Sequence, residues 1–476
     1  MKRKTNKWPY IMCLPFLAAY GLFMLFPMCY SFYLSLFDYN GIANKTFVGF
    51  KNYVTLLTKD KLFLKSFLNT IIITCMQLPV NLILGLVVAF LLYRVCRGRR
   101  FFQVVNFLPY ITTPVAIGFI FSYIFGWNSG ILNQLLVKLG VLQENFYWLQ
   151  TEWSSRVIVA LMIVYRNFGY CMMIYLSGMT AISSDVYEAA EIDGAGKWQT
   201  FRYVVVPMLK NTGTYIVLTL LSVISLFPYY MMFVMGTYKS ADLFKGVPIT
   251  VSNYLIENAK TVLNSGILQT YANSLTVSVA SVVLCLFTSI NIGYALAKHD
   301  FRGKKIITMV VLMGMVLPTQ ISIIGYVMEM RIWHFANTLI SVICVWIANP
   351  FSAFFMMQFV RDSVPSEILE SARIDGCGEL RVLYQIVTPC IKPAIMTICT
   401  LVFLWSWNNY MLPLIVLNKS TVYTLPLMIS NIGVAYIHDY GAQMLALSVS
   451  TFPVLIIFAI GSKYFVQGIT AGAVKG

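Results

Sequence analysis

Ten long apolar segments dominate this chain of 476 residues and restrict what it can fold into. A helix needs about 20 predominantly apolar residues to cross the hydrocarbon core of a bilayer. Helices satisfy their own backbone hydrogen bonds, which lipid cannot do for them. We therefore expect an all-α polytopic membrane protein. The predicted spans are residues 11–36, 68–93, 102–124, 157–180, 214–236, 272–297, 306–328, 338–360, 394–416 and 442–463.

The composition and charge agree with a membrane protein. Apolar residues make up 59% of the chain and charged residues 11%, whereas soluble proteins carry about 25% charged residues. The net charge of +16 could indicate nucleic-acid binding. However, the basic residues form short clusters between the apolar segments, as the positive-inside rule predicts. We therefore expect no nucleic-acid partner. The rule places both termini of this multi-pass chain in the cytoplasm.

The sequence gives no indication of a metal, cofactor or nucleotide site. The three histidines lie far apart, and the ten cysteines include no CxxC pair. The phosphate-binding pattern G-x-x-x-x-G-K-[ST] is also missing, because Gly196-Lys197 lacks both the upstream glycine and the Ser or Thr. We expect no bound cofactor and no ATP hydrolysis by the chain itself, and hence no enzyme activity.

One cytoplasmic motif occurs twice with identical spacing. EAAEIDGAGKWQTFRYVVVP (188–207) matches ESARIDGCGELRVLYQIVTP (370–389). In each copy a short helix is expected, with Ser184 or Ser366 as its N-cap and Gly194 or Gly376 at its end. Small residues beside an acidic one can enter a groove and pair with a basic residue there. An ordinary amphipathic loop helix is the alternative, but two copies on one side of the membrane favour docking.

A second set of repeated features divides the chain into two similar units. RGRRFF (97–102) followed by Pro109 recurs as RGKKII (302–307) followed by Pro318. The polar and proline-containing runs at 109–114 and 318–320 should break helices at membrane depth, which is tolerated only where they line a cavity or lie within protein. We predict a first unit at 1–210 and a second at 211–476, the first being two helices shorter.

The repeated motif resembles the EAA loop of ABC importer permeases, and the whole chain is similar to their carbohydrate-uptake (maltose-type) group. The N-terminal LPFLAAYGLFMLFPMCYSFYLSLFDYN and VGFKNY resemble the start of that group's first permease subunit. From about residue 212 onward, NSLTVS, HDFRGKK, ESARIDG, LWSWNNYMLPL and QGITAGAVKG resemble the second subunit. The chain thus resembles two permeases fused with an internal loss, since the two helices that normally end the first unit are missing.

This resemblance implies a sugar importer of the cytoplasmic membrane. Two permease units would form the pathway through the lipid, a dimer of ATP-binding cassette ATPases would drive it, and an extracellular solute-binding protein would deliver the sugar. Each EAA helix would dock in one ATPase. The implied coupling residues are Glu188, Ala189, Ala190, Asp193 and Gly194 in the first copy and Glu370, Ala372, Asp375 and Gly376 in the second.

Two features inside the spans are candidates for the substrate pathway. Arg166 is a cation deep in the fourth span, where a charge must face protein or water. Structural pairing or snorkelling would also explain it. In the ninth span, aromatic and amide side chains suited to a sugar are Trp405, Trp407, Asn408 and Asn409. An interfacial aromatic belt explains the tryptophans equally well.

Three other functions make different demands on the sequence. A secondary transporter also has repeats and ten to twelve helices, but it needs carboxylates inside its spans, and here the acidic residues lie almost entirely in loops. A membrane glycosyltransferase needs a cluster of acidic or histidine residues at a membrane face, and the sequence shows no such cluster. An inactive fusion or deletion product of two permease genes would keep both EAA loops but not the transport. The sequence does not identify which mono- or oligosaccharide an active importer would carry.

Overall fold

The computed structural model describes residues 7–39, 45–94, 98–128, 130–181, 206–246, 248–432 and 439–471. Most of these residues are helical. A short hairpin forms the described sheet, with β1 (Phe37–Asp38) antiparallel to β2 (Thr46–Phe47). The prediction of an all-α membrane protein is confirmed.

The helices follow one another along the chain with short connections. In order they are α1 (Trp8–Tyr20), α2 (Phe26–Ser35), α3 (Lys51–Thr58), α4 (Lys61–Arg94), α5 (Arg99–Ile111), α6 (Pro114–Ile124), α7 (Ile131–Lys138), α8 (Glu152–Ala181), α9 (Val206–Met235), α10 (Leu255–Asn264), α11 (Ile267–Lys298), α12 (Lys304–Val316), α13 (Ile323–Ile332), α14 (Ile340–Ile343), α15 (Pro350–Ser363), α16 (Ser366–Ile374), α17 (Glu379–Arg381), α18 (Thr388–Cys390), α19 (Lys392–Trp407), α20 (Met411–Val416), α21 (Leu425–Ser430) and α22 (Tyr440–Ala471). A π-helical turn at Gly21–Leu25 joins α1 to α2, and another at Val382–Val387 joins α17 to α18.

The number of membrane-crossing elements matches the prediction. Among the described residues, seven helices are long and apolar enough to cross a bilayer, and counting three sharply bent helix pairs as one span each gives ten. The ninth span differs in its bounds, since the pair Glu379–Cys390 and Lys392–Trp407 replaces the predicted 394–416. Asn408 caps this helix, and a separate short helix starts at Met411. The polar run therefore ends the span rather than interrupting it.

The helices form two compact structural units, which differ from the two sequence units at 1–210 and 211–476. From here on, the first unit and the second unit mean these structural units. The first unit contains the described parts of Met1–Phe67 and Gln269–Leu427. The second contains those of Leu68–Leu268 and Met428–Val474. Each unit therefore combines helices from both halves of the sequence.

Corresponding bent pairs occur in the two units. Helices α5 and α6 meet at 90°, and α12 and the segment Thr319–Ile332 meet at 92°. A glycine in the left-handed region precedes each pair, Gly98 with φ of +76° and Gly303 with φ of +91°. Only glycine adopts this conformation without strain, so the repeated RG dipeptide fixes how the chain turns into each pair.

Proline explains where each of these pairs bends. Thr113 before Pro114 and Leu317 before Pro318 both have extended backbones. The ring of a proline disfavours the helical conformation in the residue that precedes it, so each helix must stop there. The predicted helix breaks at 109–114 and 318–320 are confirmed.

In the second unit, a tyrosine satisfies backbone groups that the break releases. The Tyr229 hydroxyl donates to the carbonyl oxygen of Leu108 over 2.8 Å and also contacts the Thr112 hydroxyl. The Thr113 hydroxyl accepts from the amide of Ala116 at 3.2 Å. Hydrogen bonds of this kind are required where a helix breaks at membrane depth.

We expect Tyr229→Phe to lower the free energy of unfolding by about 1 kcal/mol, because the buried Leu108 carbonyl loses one of its two hydroxyl donors and keeps only the Thr112 hydroxyl, at 3.1 Å. Thermal unfolding of the detergent-purified protein measures this loss. Tyr30→Phe is the matched control, since the Tyr30 side chain stacks on Phe26 and its hydroxyl makes no hydrogen bond within the described residues. Equal stability of the two variants would contradict the assigned role of Tyr229.

The last helix of the chain packs in the second unit. Helix α22 lies against α5, α8 and α9. Its contact is close enough to require glycine on both sides, because a Cβ at Gly441 would collide with the Tyr238 carbonyl, and one at Gly236 would lie 2.9 Å from the Leu445 Cα. The Ser240 hydroxyl donates to Asp439 at 2.7 Å. This helix is thus an integral part of the bundle that holds most of the first half of the chain.

Candidate coupling helix and transport cavity

The second copy of the repeated motif forms helix α16. Pro365 is its N-cap, and Ser366 is already the first helical residue. The expected N-cap at Ser366 is therefore wrong by one position. Proline has no side-chain oxygen to accept a hydrogen bond from the first helix amides, and no side-chain cap forms at Pro365. Glu367 lies in the first turn, where a negative charge is favourable.

The end of α16 matches the prediction. Gly376 has a φ of +83°, the left-handed conformation that glycine adopts without strain. The amide of Cys377 donates to the Ala372 carbonyl over 3.0 Å, and that of Asp375 donates to Ser371 over 2.9 Å. These bonds satisfy the last carbonyls of the helix and stop it sharply.

Helix α16 has one inward and one outward face. Leu369 and Ala372 are buried within the first unit, with 2% and 7% of their surface exposed. Glu370 and Asp375 are exposed, and Ile374 is 86% exposed. Of the predicted coupling residues in this copy, Ala372 thus holds the helix in place, while the acidic residues remain available for a partner. An exposed isoleucine beside them adds apolar surface.

The corresponding residues of the first copy lie outside the described residues. They are Glu188, Ala189, Ala190, Asp193 and Gly194, within 182–205.

A buried polar cluster lies at the base of α16. We call it the Glu379 cluster, and its members are Tyr294, His299, Arg373 and Glu379. It lies at the C-terminal end of α16, and Arg373 is its more exposed member, with 35% of its side chain exposed. Arg373 donates through Nε to Glu379 Oε1 at 2.7 Å and through Nη2 to Oε2 at 3.3 Å. The Tyr294 hydroxyl donates to Glu379 Oε2 at 3.0 Å. His299 Nε2 lies 3.4 Å from the same oxygen.

The charges of this cluster follow from its burial. The Glu379 side chain is 11% exposed and that of His299 6% exposed. Burial lowers the pKa of the His299 imidazole, although Glu379 opposes this shift, so His299 is neutral at neutral pH. Burial also acts against the charge on Arg373, but its hydrogen bonds to Glu379 raise the pKa of the guanidinium. Arg373 and Glu379 therefore form a partly buried ion pair.

A cavity of about 490 Å³ lies in the first unit. It brings together the helix break at Pro318 with Trp405 and Asn409 of the polar and aromatic run, which lie far from that break in the sequence. Among the described residues, no Asp, Glu, Lys, Arg or His side chain lines it. Its polar and aromatic lining includes Thr319, Gln320, Trp346, Asn349, Trp405 and Asn409. Uncharged hydrogen-bonding groups beside aromatic faces suit a neutral polar ligand.

The other predicted pathway residues of the ninth span do not line this cavity. Trp407 is 1% exposed and packs in the core, stacked on Phe403 at 5.4 Å and edge-on to Tyr271 at 5.3 Å. Asn408 is the C-cap of α19. The two tryptophans thus differ, because Trp405 reaches the cavity and Trp407 does not.

Arg166 lies on α8 in the second unit and so does not line this cavity. Its Nε atom is buried and makes no hydrogen bond within the described part of the chain. Tyr165 and Tyr170 flank it in sequence; the Tyr165 hydroxyl donates to the Ser225 carbonyl at 3.0 Å, and Tyr170 stacks on Tyr110 at 4.8 Å. The Nε atom of Arg166 is thus enclosed by protein, while the residue as a whole is half-buried.

The comparison with protein families explains the repeated architecture. The sequence model of the binding-protein-dependent transport system inner membrane component family matches the chain twice, over residues 81–292 and 289–471. The chain is thus a membrane-embedded transport component with two copies of this domain. It belongs to the binding-protein-dependent transport system inner membrane component family.

The curated relatives each cover about half of the chain. The arabinooligosaccharides transport system permease protein AraQ of Bacillus subtilis is 33% identical over 262 residues, which cover 54% of this chain and 93% of AraQ. The diacetylchitobiose uptake system permease protein DasC of Streptomyces coelicolor is 30% identical over 254 residues, covering 52% of this chain and 92% of DasC. The lactose transport system permease protein LacF of Rhizobium radiobacter is 32% identical over 207 residues, covering 43% of this chain and 68% of LacF.

One solved structure is similar over half of the chain. It is the crystal structure of a bacterial ABC transporter involved in the import of the acidic polysaccharide alginate. The match has a TM-score of 0.48 and 21% identity, and it covers 54% of this chain and 97% of the other.

Proposed function

We propose that this protein is the transmembrane permease of an ATP-driven sugar importer in the cytoplasmic membrane. It would move a mono- or oligosaccharide inward by alternating access. The exposed acidic face of α16 carries the proposal, since it presents Glu370 and Asp375 on a helix that is anchored from behind by Leu369 and Ala372. A helix of this kind suits docking in the groove of a partner.

The partners of the proposed importer supply what this chain lacks. A dimer of ATP-binding cassette ATPases would bind the two motif copies from the cytoplasm and hydrolyse ATP, since the sequence contains no phosphate-binding loop. An extracellular solute-binding protein would bring the sugar. In this proposal the chain itself is not an enzyme.

Contacts in the first unit support the proposed orientation. The Tyr10 hydroxyl donates to the Arg302 carbonyl over 3.0 Å, and Lys298 Nζ donates to the Arg361 carbonyl over 3.2 Å. The N-terminal helix, the basic segment after α11 and the start of the second motif copy therefore lie at one end of this unit. Their excess of Lys and Arg favours the cytoplasmic side for that end of the unit and for the N-terminus. The same rule, applied along the sequence, places the C-terminus in the cytoplasm as well.

We further propose that residues 1–210 and 211–476 correspond to two fused permease units. Residues 1–210 contain two helices fewer than residues 211–476, which suggests the alternative of an inactive fusion. The packing of α22 against α5, α8 and α9 favours an active protein, because a helix from the second half fills space beside the helices of the shortened first half.

The cavity in the first unit is the proposed part of the sugar pathway. Sugars present apolar faces to aromatic rings and hydroxyls to amides. Trp405 lines the cavity and meets Phe351 edge-on at 5.7 Å, and Asn409 and Gln320 provide amide groups. The relatives named for arabinooligosaccharides, diacetylchitobiose and lactose support a saccharide substrate.

We expect Trp405→Ala to raise the KM for sugar uptake roughly tenfold, because losing an aromatic contact of about 1.5 kcal/mol corresponds to that change in affinity. Uptake of radiolabelled sugars into proteoliposomes that contain the chain, its ATPase and its binding protein measures the effect. Trp405→Phe keeps an aromatic face, so its KM should lie between those of the wild type and Trp405→Ala.

Trp407→Ala provides the matched comparison. Because Trp407 is a core residue, its removal should reduce the yield of folded protein rather than alter the KM of what remains. Unchanged sugar uptake by Trp405→Ala would exclude this cavity from the pathway.

A further inference from the structure

The carboxylate of Glu379 holds the last turn of helix α16 through hydrogen bonds. Arg373 in its last turn holds both oxygens of Glu379, which is the first residue of α17. This bidentate pair closes the loop that contains Gly376. The exposed residues of α16 take no part in it. The orientation of α16 relative to the following helix therefore depends on an ion pair that is separate from the proposed docking face.

The same carboxylate also reaches the membrane helix α11. The Tyr294 hydroxyl on α11 donates to Glu379 Oε2, and His299 Nε2, just after the end of α11, lies near that atom. Tyr294 also meets the His299 ring edge-on, at 5.1 Å between ring centres. Helix α11 is a candidate span of 32 residues. Glu379 thus joins three elements, the coupling helix, the start of the next bent pair and the end of a membrane helix.

Burial makes this connection stiff. Water competes poorly for a carboxylate that is 11% exposed, so its hydrogen bonds hold their geometry. The Arg373 side chain is 35% exposed, so the pair is partly buried, and removing Arg373 would leave the charge of the more buried Glu379 uncompensated. Leu369 and Ala372 anchor α16 only through apolar contact, which is not directional. The Glu379 cluster is therefore the directional part of the attachment.

The sequence of the first motif copy carries the same pair with opposite signs. Arg373 and Glu379 stand three and nine residues after the leading Glu370. The corresponding positions after Glu188 hold Glu191 and Lys197. An acid and a base thus occupy the two positions in both copies, in reversed order.

We propose that the Glu379 cluster is a positioning device that transmits movement of the coupling helix to membrane helix α11. This inference rests on the proposed function, in which an ATPase displaces α16. When the ATPases approach each other, α16 would be pulled with α11 because Glu379 binds both. The Arg373–Glu379 pair would act through the attachment of the helix and would make no contact with the ATPase.

The pair can be tested by reversing its charges. The single variants Arg373→Glu and Glu379→Lys each break it, and the double variant restores an acid and a base in the order found in the first motif copy. The first readout needs no partner: the rate at which N-ethylmaleimide alkylates Cys377 in the purified chain, followed by peptide mass spectrometry. Cys377 is half-buried and lies directly after Gly376. Its reactivity therefore reports whether the loop stays closed.

We expect at least fivefold faster alkylation of Cys377 in each single variant and a rate within twofold of wild type in the double variant. The alkylation of Cys377 in samples unfolded in sodium dodecyl sulfate should be equal in all four proteins and serves as the control for intrinsic reactivity. Equal Cys377 rates in all four proteins, or fast alkylation in the double variant as well, would overturn the pairing.

The second readout measures transmission. In liposomes that also contain an ATPase that co-purifies with the wild-type chain, we expect each single variant to bind that ATPase but to move at least tenfold less sugar per ATP hydrolysed. The double variant should recover to within threefold. A purely structural attachment would reduce the amount of folded protein without changing this ratio, which would overturn the transmitting role. If wild type moves no sugar at all, the proposed importer function fails, while the alkylation result still decides whether the pair closes the loop.

Discussion

Glu370→Ala should strongly weaken attachment of the ATPase to the second motif copy. Glu370 is exposed on α16 beside Ile374, where it can pair with a basic residue of a partner. Truncating one partner of a buried charge pair at an interface costs about 2–5 kcal/mol, or on the order of 30-fold or more in affinity. Co-purification of the ATPase from detergent measures the loss. With Glu188→Ala added, no ATPase should remain bound.

Glu257→Ala is the matched control for this loss of charge. Glu257 is an exposed glutamate on α10, on the predicted extracellular side, and its ion pair with Lys260 spans 3.0 Å. Exposed pairs of this kind contribute at most about 1 kcal/mol. The control should retain the ATPase. Full retention of the ATPase by the double glutamate variant would exclude the motif as its docking site.

Gly441→Ala should destabilise the second unit. Its added methyl group would collide with the Tyr238 carbonyl and lie 2.8 Å from Asn258 Nδ2. Asn258 donates to the carbonyls of Gly236 and Tyr238, each over 2.8 Å, so the methyl group also disturbs these bonds. Overpacking of this kind costs about 1–3 kcal/mol. We expect thermal unfolding several degrees below that of wild type, together with a loss of sugar uptake.

Gly118→Ala isolates the effect of the collision. Gly118 lies on α6 in the same unit, and a Cβ there would meet nothing within 4 Å. Alanine stabilises a helix by about 1 kcal/mol relative to glycine, so this variant should unfold at or above the temperature of wild type. If Gly441→Ala is as stable as Gly118→Ala, α22 does not pack closely in this bundle.

The parts of the fold that local physical chemistry determines could be predicted from the sequence. Apolar length gives the membrane spans, because lipid requires each to be a self-bonded helix. The proline runs at 109–114 and 318–320 give the bends, and Gly376 gives the end of α16. The sequence predicts Ser366 as the N-cap of α16, whereas the N-cap is Pro365. Either residue can begin a helix, and the sequence pattern does not distinguish between them.

Features that depend on distant contacts could not be predicted. Tyr294 and Glu379 are 85 residues apart, and no periodicity links them. The cavity combines Gln320, Trp346 and Trp405 from three separate helical segments. Trp405 and Trp407 look alike in the sequence, and only their packing distinguishes a cavity residue from a core residue. The place of α22 in the second unit is likewise a matter of packing rather than of pattern.

Sugar-stimulated ATP hydrolysis in liposomes tests the proposed importer most directly. The purified chain would be reconstituted with its ATPase, and hydrolysis would be measured with and without the solute-binding protein and a panel of neutral mono- and oligosaccharides. We predict that hydrolysis rises only when the binding protein and its sugar are both present, and that the variant with both Glu188→Ala and Glu370→Ala shows no rise. An ATPase that binds the wild-type chain but hydrolyses ATP at the same rate with and without sugar would contradict the account and indicate an inactive fusion.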